Sequence, residues 1–140
     1  MAKIFYNNII PFQGFKAITI WPLVFARKKF RPLDDVTINH EGIHLIQQLE
    51  IIILSLLVIA IVVLSLHISL LWLLLSLASY YILYCLEYVI RLCAYGRGHE
   101  AYRNISFEQE AFLNEKDFNY LIERKAFAWV KHITTKTYRR

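Results

Sequence analysis

Apolar and polar positions are unevenly spread along this chain of 140 residues. Residues 51–66 carry no charge, and only Ser55 and Ser65 are polar. Residues 68–86 carry no charge either, and His67 alone separates the two runs. At helical rise the runs span about 24 and 28 Å, against a hydrocarbon core of about 30 Å. Leu45, Ile46 and Leu49 extend the apolar side of the first. Neither run leaves the polar stripe that a helix on a soluble core shows to water. The pattern predicts a two-span transmembrane helical hairpin in a single domain covering 1–140.

The flanks read differently. Within residues 1–33, Lys3–Tyr6 and Ala17–Trp21 are rich in β-branched and aromatic residues. Pro11-Phe12-Gln13-Gly14 between them is turn chemistry, which predicts a short N-terminal β-hairpin. Pro22 limits the second strand to an edge. Asp34, Asp35 or Thr37 can cap a helix over 36–66 that runs unbroken into the first span. The second span is expected over 68–93, ending at Gly96-Arg97-Gly98. C-terminal cytoplasmic helices are expected over 106–131. Ser106-Phe107-Glu108-Gln109 fits a capping box, and Phe118–Val130 an amphipathic helix. The fold class is therefore a mainly α membrane protein.

Charge orients the hairpin. Residues 1–50 hold six Lys and Arg, residues 87–140 the other ten, and the turn between the spans none. The positive-inside rule then places both termini in the cytoplasm. The net charge of +5 needs no nucleic acid partner, because Lys and Arg near the spans can face anionic headgroups. The cluster Arg27-Lys28-Lys29 with Arg31 reads as such an anchor to the lipid bilayer. No cleaved signal peptide is expected, since the first apolar run starts near residue 50. Cys85 and Cys93 lie about two turns apart on one helix and read as free thiols, as a reducing compartment allows.

The candidate chemistry stands six residues before the first span, at His40-Glu41-Gly42-Ile43-His44. HExxH on a helix sets two imidazoles one turn apart with a carboxylate beside them. His40 and His44 point about 40° apart, and Glu41 is turned about 100° from His40. Two histidines can therefore ligate Zn²⁺ while Glu41 reaches the attacking water as a general base. A catalytic zinc needs a third protein ligand and an open fourth position. Gln47 lies on the histidine stripe and is a candidate hydrogen-bond partner of a ligand or a substrate contact.

HExxH followed by Phe107-Glu108-Gln109-Glu110-Ala111 resembles the gluzincin branch of zinc metallopeptidases. Integral-membrane members include the CAAX prenyl proteases and the related bacterial heat-shock membrane proteases. The resemblance implies that Glu108, three residues before Ala111, is the third metal ligand, with Glu110 as the alternative. The longer string from His40 to Gln48 also resembles small bacterial HExxHxxQQ membrane proteins, which implies the bacterial inner (cytoplasmic) membrane. The chain departs from the larger gluzincins where Phe112 replaces an Asp after the Ala. That Asp would support the first histidine. A hairpin returns the chain to the side it left, so Glu108 can come back to the level of His40 and His44.

Other polar residues have weaker claims. Glu87 is a rival ligand, but Arg91 is its i,i+4 partner. His99 follows a glycine break and reads as loop or as a group behind the ligands. His67 reads as the external turn, and His132 as part of a basic tail. The expected function is a zinc-dependent metallopeptidase cleaving a peptide or protein substrate at the cytoplasmic membrane face. An exposed strand edge at Ala17–Trp21 could add a substrate strand. So small a chain has little material for a cleft, which points to a homo-oligomer or a membrane partner. The alternative is a non-catalytic zinc-binding membrane adaptor or regulatory subunit, whose closed site would need a fourth ligand such as Glu110 or His99.

Overall fold

A computed structural model describes residues 3–135. Two long helices dominate it. Helix α1 (Asp35–Leu66) is continuous through the HExxH segment and the first apolar run. Asp34 caps it, its carboxylate accepting from Thr37 N–H at 2.8 Å. That bond, with Lys16 nearby, holds the Asp34 carboxyl down at about 2. Removal of such a cap costs about 1 kcal/mol. Asp34→Ala is expected to lower thermal stability by that order at neutral pH. Because the folded-state value is depressed, the difference persists above the ordinary carboxylate range. It vanishes as pH falls through about 2, which unfolding midpoints against pH would read.

Helix α1 ends at His67, in the left-handed region at φ 52°. A 3₁₀ segment over Leu70–Leu74 follows, and α2 runs from Leu75 to Tyr95. The second apolar run is thus helical from Leu70, first as 3₁₀ and then as α from Leu75, with Ile68 and Ser69 spent on the turn. Gly96 ends α2 at φ 67°, a conformation glycine adopts without strain. Both helices are long and apolar enough to cross a membrane, and only 11% of the apolar window of each is buried. Leu57, Ile61, Leu64, Leu77 and Leu83 all face outward. Where the helices touch, Ser55 and Ser79 share a hydrogen bond of 2.8 Å. Ser69 and Ser76 instead serve local turns, with Ser69 accepting from Leu71 N–H and Ser76 donating to the Leu73 carbonyl.

The N-terminal segment forms a three-stranded sheet, not the expected hairpin. Strands β1 (Lys3–Asn7), β2 (Ala17–Ile20) and β3 (Leu23–Arg27) lie in the order β1-β3-β2. The antiparallel pair is β2–β3, and β1 pairs parallel with β3. The expectation erred because Leu23–Arg27, overlapping a basic cluster, carries its own alternation, with Val24 and Ala26 buried. The Trp21-Pro22 step is the hairpin turn, and β2 is an edge strand. Ala17, Val24, Ala26 and Leu33 pack with Ile38 and Leu45, so the sheet lies on α1 around the HExxH turns.

After α2 come α3 (Gly98–Arg103), α4 (Ser106–Asn114) and α5 (Tyr120–Glu123). The expected Phe118–Val130 helix is broken. Only α5 and a 3₁₀ segment over Ala128–His132 form there, with Phe127 left-handed at φ 56° between them. The capping box at Ser106 does not form either. Glu87 takes its place, accepting from Ser106 N–H at 2.8 Å and from the Ser106 hydroxyl at 2.6 Å. Arg91 pairs with Glu87 and donates to the carbonyls of His132 and Ile133. Glu87 is thus a structural link and not a metal ligand. His132 is buried rather than part of a solvated tail. Residues 136–140 of that tail lie outside the described residues. Cys85 and Cys93 are free and exposed.

Candidate metal centre

Helix α4 carries the polar residues that meet α1. Six consecutive residues, Ser106 to Ala111, are buried. Glu108 and Glu110 lie about 200° apart around a helix axis, so they face opposite neighbours. Glu110 is fully buried in an ion pair with Arg124, whose side chain also reaches Glu50. It accepts further from Tyr120 Oη at 2.8 Å and Gln47 Nε2 at 3.0 Å. These partners saturate it, so Glu110 is a tie between helices and not the alternative ligand.

Glu108 faces the histidines. His40, His44 and Glu108 form a buried cluster that could hold a metal ion, their ligand atoms within 4.8 Å of one another. His40 Nε2 and His44 Nε2 are 3.1 Å apart. Glu108 Oε2 is 3.6 Å from the first and Oε1 is 3.5 Å from the second. Ligand atoms about 2.0–2.1 Å from a tetrahedral zinc would stand about 3.3 Å from each other, close to these separations. Burial alone would raise the Glu108 carboxyl. The His44 and His40 imidazoles outweigh it and hold the group below the ordinary carboxylate range.

Both imidazoles are oriented from behind. Gln47 Oε1 lies 2.8 Å from His44 Nδ1, and Gln47 Nε2 donates to the Phe107 carbonyl at 3.0 Å. Glu115 Oε2 lies 2.9 Å from His40 Nδ1. With the Nδ1 atoms donating to these acceptors, the Nε2 lone pairs of both histidines face Glu108. Two lone pairs 3.1 Å apart beside a carboxylate repel unless a cation or proton lies between them. Glu108 Oε2 is itself buried without a hydrogen-bond partner. The donor set therefore fits a divalent metal.

Glu115 was missed in the sequence. The signal was its spacing, seven residues beyond Glu108, which returns to the same face after two turns. Phe112, in place of the expected Asp, packs its ring on His40 with centroids 4.8 Å apart. Glu115→Gln and Gln47→Leu are each expected to weaken metal binding by about 10–100-fold, since partners behind ligands carry that much affinity. Competition with a chelating dye would measure it.

Glu41 does not join the ligand cluster. It lines the same cavity as His40, His44 and Glu108. Thr19 of β2 donates to Glu41 Oε2 at 2.5 Å and fixes it there. Gln48, the last residue of the HExxHxxQQ string, pins the strand. It accepts from Trp21 N–H at 2.8 Å and donates to the Thr19 carbonyl at 3.0 Å. The Trp21 end of the β2 edge is thus engaged, and the Ala17–Thr19 end lines the cavity.

The cavity holds about 530 Å³, and most of its wall is apolar or aromatic. Tyr80, Tyr84 and Tyr102 stand over the cluster. Tyr84 donates to Glu108 Oε1 at 2.8 Å, and Tyr80 Oη lies 3.3 Å from His44 Nδ1. Burial, and then the Glu108 carboxylate, push the Tyr102 phenol up, so it stays protonated. None of the three tyrosines was singled out in the sequence. His99 is exposed and lines the cavity, outside the ligand cluster. His67 sits at the far turn between the long helices. Comparison with protein-family models, curated proteins and solved structures finds no match, so the reading of this site rests on its own residues.

Proposed function

We propose that the chain is an integral-membrane zinc-dependent metallopeptidase, acting at the cytoplasmic face with both termini on that side. The observation that carries this is the His40–His44–Glu108 cluster, with Glu41 in the same cavity but outside the cluster. Three protein ligands with space beside them suit a catalytic metal better than a closed structural one. A bound Zn²⁺ would polarise the scissile carbonyl and make a water acidic enough to attack. Glu41 would serve as the group that accepts a proton from the attacking water and returns it to the leaving amine. Thr19 keeps the Glu41 carboxylate aimed. Tyr102, on the wall of the same cavity and directed at Glu108, helps to hold that carboxylate in place. A substrate segment can enter the cavity beside Ala17 and Ile18 of β2, ahead of the Thr19 carbonyl that Gln48 already occupies.

The membrane part of this reading is supported by two helices whose apolar faces are outward, and by the charge asymmetry of their flanks. A non-catalytic adaptor would need a fourth protein ligand. Among the described residues the cluster has three, and Glu110 is committed to Arg124.

The testing experiment is metal analysis of the detergent-purified chain. About one zinc per chain is expected for a site of this type. A metal-free chain that stays metal-free after zinc is offered would overturn both the catalytic and the adaptor reading.

A further inference from the structure

We propose that the loop between β1 and β2 is a third membrane contact, which seats the mouth of the cavity at the boundary of lipid and water. The proposal rests on the reading that α1 and α2 cross the bilayer. Four large apolar residues project from this loop. Ile9 is 80% and Phe12 83% exposed, and Ile10 and Phe15 are partly so. A soluble surface rarely gathers so many on one short loop.

The loop is built to hold them outward. Asn7 Oδ1 accepts from the backbone N–H of both Ile9 and Ile10, at 2.8 and 2.7 Å. Arg27 Nε donates to the Pro11 carbonyl at 2.8 Å. Phe15 N–H closes a turn on the Phe12 carbonyl. The polar backbone is thus engaged on the inner side, while Ile9, Ile10 and Phe12 stay exposed and Phe15 packs edge-on against Tyr102.

Position decides the occupant. Phe12 and Phe15 line the cavity together with Tyr81, Tyr84 and Tyr88 of α2. The outer face of α2 at that height shows Ile82, Leu83, Leu86 and Val89. Beyond the loop the same face of β2 shows Ile18 and Ile20, with Trp21 at the strand end. The loop and α2 therefore meet at the cavity, and both show apolar side chains on their exposed surface there. Lys28, Lys29 and Arg31 are exposed just past β3, whose last residue Arg27 pairs with Asn7 at the start of the loop. Apolar tips with basic neighbours match an interface of acyl chains under anionic headgroups. A mouth placed there would admit a substrate whose cleavage site lies against the membrane.

The test uses the full chain in vesicles of phosphatidylcholine and phosphatidylglycerol. A nitroxide is placed at Phe12→Cys or, as a control in the first span, at Leu57→Cys, with Cys85 and Cys93 changed to Ser. Molecular oxygen reports lipid exposure, and a water-soluble nickel chelate reports water. Both positions are expected to be relaxed more by oxygen than by nickel, Leu57 more deeply than Phe12. Oxygen at Leu57 with nickel at Phe12 overturns the loop contact and leaves the spans intact. Nickel at both positions overturns the membrane reading and the loop with it. Shielding from both agents at Phe12, with spin–spin broadening, would mean that a second copy of the chain covers the loop, and also overturns the proposal.

Discussion

Glu41→Gln is expected to lower peptide hydrolysis by about 10²–10⁴-fold, the usual worth of a placed general base, without loss of zinc. The substitution is close to isosteric. The amide oxygen can still accept from Thr19, which now donates at 2.5 Å, so the side chain keeps its place on the cavity wall. What it loses is the ability to take a proton from water. The measurement pairs cleavage of a mixed peptide library, read by mass spectrometry, with metal content of the same preparation. Retained cleavage would remove Glu41 from the reaction. Loss of zinc together with activity would make it part of the metal site instead. Thr19→Val, which removes the aiming hydroxyl, should reduce turnover less than Glu41→Gln, because the carboxylate survives.

Glu108→Ala is expected to abolish zinc binding, with His40→Ala as its parallel. Two ligands remain in either variant, which is too few to hold a catalytic zinc against a chelator. Glu110 cannot step in, because it lies on the opposite side of α4 in its pair with Arg124. Glu110→Gln supplies the contrast. It should leave zinc in place and lower thermal stability, since it leaves the buried Arg124 without its full charge partner. Metal content and thermal unfolding of the two variants should therefore move in opposite ways. If Glu110→Gln loses zinc while Glu108→Ala keeps it, the ligand assignment is reversed.

The two long apolar helices, the histidine pair and the return of the chain were legible because each depends on near neighbours. Two uncharged runs define the long helices, and i,i+4 spacing puts His40 beside His44. The third carboxylate was narrower than a guess, yet open between Glu108 and Glu110. The sheet order was not legible. Strand β3 was hidden under a basic cluster, and parallel pairing with β1 needs a partner distant in sequence. The C-terminal helix failed at Arg124, extended at ψ 125° where its side chain reaches Glu50 and Glu110, a tertiary demand without a local signal.

By itself the sequence determined two apolar helices and an HExxH turn placed just ahead of the first. Those features come from composition and periodicity, which act over a few residues. Only the tertiary structure decided which carboxylate meets the histidines and which groups aim them. That depends on the rotation of α4 against α1, set by contacts such as Gln47 to the Phe107 carbonyl. The same packing gave Glu115 to His40, Thr19 to Glu41 and five tyrosines to the cavity. Rotation of one helix against another is settled by buried side chains far apart in the chain, and no local pattern records it.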